Sequence, residues 1–239
     1  MPVPQRNIIE GRLIDRPNRF LGVVDIKGVQ VKAFIPNPGR MHELMVPGKR
    51  VYLAPATGNK RKTQYNLIGV EHAGVLVSID SILPNRFMKR MLREHKLEMF
   101  SDYEIVVPEP KYYDGRFDFK LEGLNGITLI EVKSCTLVED GRAIFPDAPT
   151  TRGARHMKHL ARALTEKIAD KTAVVFVIQR PDVQAFSPND PTDPEFANAL
   201  RSAAMNGVNV YALKTKVVDW NLQLLGQVAV ELEYFSTSH

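Results

Sequence analysis

The segment ITLIEVKSC, residues 127–135, constrains this chain more than any other. It is apolar up to Ile130, as a central strand would be, and then sets Glu131 and Lys133 two residues apart. Side chains alternate along a strand, so those two charges point to the same side. Charges at the end of an otherwise apolar strand are costly unless they pair or bind a metal. The preceding segment GRFDFKLEG supplies a partner. Read as a strand, it places Arg116, Asp118 and Lys120 on one face and Phe117, Phe119 and Leu121 on the other. Thirteen residues separate Asp118 from Glu131, enough for one hairpin connection, so the two carboxylates fit on adjacent strands.

Two close carboxylates repel at neutral pH, and a Mg²⁺ or Mn²⁺ ion, which takes oxygen ligands, relieves that repulsion. A lysine beside them can hold or polarise an attacking water and offset charge on a phosphate. This is equipment for metal-assisted phosphodiester hydrolysis. Glu109, on the strand before, is a candidate third carboxylate for the metal. The bland alternative for the same residues is a salt-bridged cluster on a solvated face. The apolar run before Glu131, the Asp on the preceding strand and a basic helix afterwards favour the site.

Around this centre the chain divides in two. Residues 7–80 hold short β-type segments (NIIEGRLI, RFLGVVDI, VQVKAFI, RVYLA and NLIGVEHAGVLVSI) punctuated by Gly, Pro, Asn and Asp. Five or so strands in that length suit a small OB-like barrel, although period alone does not separate it from an SH3-like one. Residues 84–100 switch to helical spacing, with Pro84 suited to the first turn. Three strands follow, with Asp114–Gly115 as a hairpin turn between the first two. Then come a helix over 151–169, the buried strand KTAVVFVIQR, a helix over 194–206, the strand VNVYALKTKVV and a terminal hairpin-like pair, VDWNLQLLG and VAVELEY. The expectation is an α+β two-domain chain: an OB-like barrel over 1–82, then an α/β domain with a mixed sheet over 83–239.

The bulk numbers allow this and exclude other classes. At 239 residues and 44% hydrophobic, the chain can bury a real core. Its net charge of +5 and pI near 9.3 fit a polyanionic partner. The single cysteine, Cys135, excludes an intrachain disulfide and reads as a small buried residue. The N-terminus lacks the apolar run of a secretory signal, and the longest strongly apolar stretch, near 173–178, is far too short for a membrane helix. The simplest placement is the cytoplasm, with no membrane partner.

Other residues are candidates for gripping nucleic acid. Arg152, Arg155, His156, Lys158 and His159 crowd the start of the 151–169 helix, and helix N-termini favour anions. Of these, Arg152 and His156 are candidates to face phosphates, together with Arg116, which shares a strand face with Asp118. In the barrel half, Arg40, Lys60, Arg61, Lys62 and Tyr65 suit a surface that holds a backbone and stacks a base. Trp220 and the phenylalanines read as core. His156, His159 and Cys135 are scattered and make no paired zinc motif.

Asp118 followed after a gap by E-V-K is similar to the PD-(D/E)XK nuclease motif. More specifically, RFLGVVDI, PNPGRM, NKRKTQY, PNR at 84–86, PEPKYYDGRFDF, IEVKSCTL and FPDAPTTRGARHMKHL resemble the sugar fermentation stimulation protein A family over nearly the whole length. The resemblance implies an OB-like domain followed by a PD-(D/E)XK nuclease-like domain. It also implies double-stranded DNA binding, an association with sugar-utilisation gene expression and a proposed DNA/RNA nuclease activity. Asp118, Glu131 and Lys133 match the D, E and K of the motif, and Glu109 the acidic residue of the preceding strand. The position before Asp118 is Phe117 rather than proline. The sequence thus predicts a Mg²⁺- or Mn²⁺-dependent nuclease acting on DNA, with RNA as a further substrate. The alternative is a non-catalytic double-stranded-DNA-binding regulator on the same fold. Oligomeric state stays open, homodimer included.

Overall fold

In the computed structural model the described residues are 7–56 and 61–233. The N-terminal half is a barrel of β1 (Ile9–Asn18), β2 (Leu21–Ile26), β3 (Val29–Phe34), β4 (Arg50–Pro55) and β5 (Tyr65–His72), continued by β6 (Val75–Ser78). Strand order is β3-β2-β1-β4-β5-β6, and a parallel β3–β5 pairing (Ala33↔Tyr65, Phe34↔Asn66) closes the first five strands on themselves. Closure removes the exposed edges that an open sheet would leave. Leu13, Val24, Ala33, Ile35, Leu53, Leu67 and Val77 fill the interior.

Two tight turns have successive residues at positive φ: Lys27–Gly28 (53° and 87°) joins β2 to β3, and Ala73–Gly74 (50° and 77°) joins β5 to β6. Such turns match the right-handed twist of the strands they connect. The Ala73–Gly74 turn splits what the sequence reads as one continuous segment.

The C-terminal half opens with α1 (Leu83–Arg93), shorter than the expected helix over 84–100. Pro84 does sit in the first turn, but His95 adopts φ 50°, which ends the helix, and Phe100 is placed by a following turn. Next come β7 (Ile105–Pro108), the short hairpin β8 (Lys111–Tyr112) and β9 (Gly115–Arg116), β10 (Phe119–Gly123) and β11 (Gly126–Cys135). The chain continues with β12 (Val138–Glu139), β13 (Arg142–Phe145), α2 (Thr151–Thr165), β14 (Lys171–Ile178), β15 (Ala185–Pro188), α3 (Pro194–Met205), β16 (Asn209–Val218), β17 (Asn221–Gln227) and β18 (Ala229–Val230).

The main sheet has order β17-β16-β14-β11-β10-β7, with β11, β14 and β16 parallel and the outer strands antiparallel. It is a mixed sheet with helices packed on both faces, the α/β arrangement expected for this half. β14 is buried on both faces: Val174, Phe176 and Ile178 meet α2 and α3, while Ala173, Val175 and Val177 meet the α1 side. Its unbroken apolar run is what a central parallel strand requires.

Three local expectations change. Phe117 belongs to the α2-side core, whereas Phe119 and Leu121 belong to the α1-side core, so strand alternation breaks at Asp118. The terminal pair is not a hairpin: β17 pairs antiparallel with β16, while β18 pairs parallel with β15. That second pairing completes a small sheet, β12-β13-β15-β18, whose two- and four-residue strands are too short to give a periodic signal.

The halves are docked. Trp220, at φ 58° in the β16–β17 turn, packs its ring on Tyr52 of β4 with centroids 5.0 Å apart. Gly69 makes room for it: a Cβ there would come within 2.7 Å of the indole. Asp147 accepts a hydrogen bond from the Met41 N–H at 2.7 Å, and Gln179 donates to the Asp80 carbonyl at 3.3 Å. No helix among the described residues is long and apolar enough to cross a membrane.

Candidate active site

Asp118 stands where the chain turns from the β8–β9 hairpin into β10. Its N–H donates to the Ile130 carbonyl at 3.1 Å, and its Oδ2 accepts from the Val132 N–H at 2.7 Å. The residue therefore grips β11 on both sides of Glu131, which explains the break in alternation: the side chain turns toward the neighbouring strand instead of continuing the pleat. Its Oδ1 accepts from Nδ2 of Asn85, on α1, at 2.6 Å.

Glu131 points to the α2 face of the sheet and is 4% exposed. Its Oε1 accepts from the Lys133 ammonium at 2.7 Å and also meets Nδ1 of His156. His156, on α2, is itself buried, and its Nε2 faces Arg152 Nε at 3.3 Å. Arg152 is always a donor, so Nε2 accepts, and a neutral imidazole then carries its proton on Nδ1, toward Glu131. One carboxylate oxygen is thus held by two donors, and the Arg152 guanidinium at the exposed start of α2 fixes the tautomer.

Helix α2 is placed to do this. Thr150 caps it, its Oγ1 accepting from Gly153 N–H at 3.0 Å, and Asp193 both accepts from Thr150 N–H and caps α3 through Phe196 N–H. Met157 and Leu160 turn into the core. The helix then has two polar rows at i, i+4 spacing: Arg152 and His156 over Glu131, Arg155 and His159 over Asp114. Lys158 faces Glu195.

The electrostatics follow the burial. Asp118 is pushed up to about 6, first by burial and then by the neighbouring Glu131 charge, despite the Val132, Lys133 and Asn85 contacts that pull it down. Burial also presses Glu131 upward, but Lys133 and His156 more than offset it and hold this carboxyl below its ordinary value. One member of the pair is held ionised, and the other is raised to about 6, much closer to neutral pH than an ordinary carboxylate.

The other sequence candidates fall elsewhere. Glu109 adopts φ 51°, its carboxylate is largely exposed, and it pairs with Arg116 at 3.1 Å; only its backbone N–H reaches Asp118. Among the described residues no three His, Cys, Asp or Glu side chains converge as a cage, so the carboxylates near β11 are a pair. Cys135 is buried, its thiol pushed up by burial, and it serves the core. In the barrel, Arg40, Arg61 and Lys62 are exposed, Tyr65 packs against the barrel core, and Lys60 lies outside the described residues. Sequence reasoning assigned no role to Asn85; its position in PNR was the available signal. It also placed Phe20 and Phe34 in the core, whereas Phe20 is 50% exposed and Phe34 only partly buried.

The comparisons bear directly on this arrangement. Residues 82–221 match the family model described as the sugar fermentation stimulation protein RE domain, and residues 14–79 match the SfsA N-terminal OB domain. The chain belongs to the SfsA family. It is 43% identical over 225 residues to a sugar fermentation stimulation protein homolog of Desulforamulus reducens, covering 94% of this chain and 93% of that protein. It is 41% identical to the homolog of Moorella thermoacetica, covering 95% and 97%. Its fold is also similar to the structure of Pyrococcus furiosus SfsA in complex with Ca²⁺, at TM-score 0.86 and 31% identity, covering 97% and 98%. This SfsA chain and that one share their architecture from barrel to sheet.

Proposed function

We propose that this SfsA protein is a divalent-metal-dependent nuclease that hydrolyses phosphodiester bonds in DNA, and in RNA as a further substrate, with Asp118, Glu131 and Lys133 as its centre. The observation that carries the reading is the strained pair itself: Glu131 buried on β11 and Asp118, half-buried in the bend before β10, driven to about 6 beside it. A cation beside the pair offsets both causes of that shift, because its charge stabilises the ionised carboxylate against burial and against the Glu131 charge. The donor set fits a hard ion such as Mg²⁺ or Mn²⁺, which takes one or two carboxylates and completes its shell with water and substrate phosphates. Asp118 and Glu131, through Oε2, would hold it. The Ca²⁺ complex of the Pyrococcus furiosus relative supports an oxygen-ligand site in this family.

When bound, the ion supplies Lewis-acid stabilisation of the phosphate and lowers the pKa of water. The protein supplies placement. Asn85 and the Val132 N–H fix the Asp118 carboxylate, and His156 with Lys133 fixes that of Glu131. Lys133, 12% exposed, is positioned to orient a water and offset phosphate charge. Arg152, at the surface end of the row, faces an incoming phosphate. Water adds to phosphorus, one P–O ester bond breaks, and the products are a phosphomonoester and a hydroxyl. A second reading, a regulator that binds double-stranded DNA without cutting, draws on the convergence of no more than two carboxylates among the described residues.

Labelled single- and double-stranded DNA and RNA, incubated with Mg²⁺, Mn²⁺ or EDTA, separate the two. The proposal expects metal-dependent cutting by the wild type and none by a folded Asp118→Ala variant that still binds. Equal cutting by both would remove Asp118 from the chemistry. Binding without cutting in any metal would favour the regulator.

A further inference from the structure

The outer face of the barrel carries an aromatic arrangement that the chemistry at β11 does not use. Phe20, in the β1–β2 turn, and Phe34, at the end of β3, present rings that are within 9° of parallel, with centroids 6.2 Å apart. The guanidinium of Arg61, from the β4–β5 connection, lies over the Phe34 ring at 5.9 Å and donates to Asn66 Oδ1 at 2.6 Å. Ala33 of β3 is fully buried and points into the barrel, so its neighbours Lys32 and Phe34 face out.

The platform is held in place. Phe20 N–H donates to Asn18 Oδ1 at 2.9 Å, and its carbonyl accepts from Ile35 N–H at 2.9 Å, which registers its ring beside Phe34. Arg16 braces the turn by donating to the carbonyls of Arg19, Gly39 and Arg40. Half of the Phe20 side of this pair nevertheless remains open to water. Around it stand Arg19, Lys32 and Lys62, all exposed, and among the described residues no ion pair ties them to a carboxylate. Rigid aromatic faces amid unpaired cations are what a single strand of nucleic acid requires: the charges track its backbone and each unpaired base offers a π-face. In OB barrels the strand 2–3 face with the 1–2 and 4–5 loops is where oligonucleotides lie, and these three residues come from that face and those two loops.

We propose that Phe20, Phe34 and Arg61 form a stacking platform for unpaired nucleobases, so that the barrel takes single-stranded or frayed nucleic acid. The idea rests on the nucleic-acid part of the proposed function but not on cutting. It is tested by fluorescence anisotropy in EDTA, with a labelled oligothymidylate and a labelled blunt duplex. The Phe20→Leu/Phe34→Leu variant keeps apolar bulk and removes the π-faces. Its affinity for oligothymidylate is expected to fall on the order of tenfold or more while that for the duplex changes less than about twofold. A Phe34→Trp variant should keep single-strand affinity, and its added emission, beyond that of Trp220, should be quenched by oligothymidylate. It serves as the test should the double variant not fold. Unchanged single-strand affinity in the leucine variant, equal loss on both probes, or unquenched emission overturns the proposal and leaves the patch to a protein partner. Loss of single-strand binding in a protein that cuts nothing would keep this inference and sink the nuclease, and the converse result would do the reverse.

Discussion

The polar cluster beneath α2 and the outer face of the barrel solve opposite problems. Beneath α2, Glu131 and His156 are almost wholly buried and every polar contact is specified, from Arg152 through His156 to Glu131 and from Asn85 to Asp118. On the barrel, Phe20, Arg19, Lys32 and Lys62 are exposed and few contacts fix the charges. Burial strengthens electrostatics and penalises any unpaired charge, so the first region is tuned to a single geometry. Exposure weakens each charge but lets many of them act over a long, variable polymer. Under the proposed function, one region serves chemistry at one bond and the other holds the polymer that carries that bond.

Substitutions should therefore differ sharply between the regions. Lys133→Met removes a preorganised donor from the buried site, and cleavage should fall about 10²–10³-fold, measured in single-turnover assays, with binding in EDTA unchanged. His156→Ala leaves Glu131 with one donor fewer; cleavage and Mn²⁺ affinity should drop about 10–100-fold, with partial recovery in His156→Asn. A His156→Ala protein with wild-type Mn²⁺ affinity by calorimetry would show that the row on α2 is only structural. Neutralising Lys32 and Lys62 should cost only a few-fold in affinity, yet lower the slope of log affinity against log salt by about one per lysine. Glu109→Ala should do least: its carboxylate is exposed and paired with Arg116, so stability should move by less than about 0.5 kcal/mol and cleavage by less than about twofold.

Much of this was legible in the sequence because the signals were local. The apolar run before Glu131 announces a central strand, and E-x-K two residues apart announces a shared face. The start of α2 at residue 151 was readable for the same reason, although the helix ends at Thr165 rather than 169. What escaped depended on distant neighbours. Asn85 meets Asp118 only because α1 packs across the sheet, so its place in PNR marks the residue but not its partner. Phe20 and Phe34 read as core because apolar residues usually are; the barrel's closure decides that Phe34 faces out while Tyr65 packs inward. Glu109 was placed by its position on the preceding strand and by the motif it resembles, and a left-handed backbone at that residue turns its side chain away.

The central claim is that the Asp118–Glu131 pair is held in a conflict that a divalent ion resolves. Asp118 has an ordinary value of 3.8 and is raised to about 6 in the fold, so the stability that its neutral form contributes is complete below 3.8 and is lost as pH rises through 6. Glu131 is lowered, and its contribution runs the other way, present above 4.5 and lost as pH falls. Substituting Asp118 isolates the first effect. Denaturant unfolding of wild type and Asp118→Asn, at pH 7.5 and pH 5, with EDTA or with Mn²⁺, is the direct measurement. In EDTA at pH 7.5 the variant should be the more stable, by about 1–3 kcal/mol, and the advantage should shrink at pH 5. Mn²⁺ should stabilise the wild type and leave the variant unmoved. A wild type that gains nothing from Mn²⁺, or a variant that is less stable than wild type in EDTA at pH 7.5, would contradict the account.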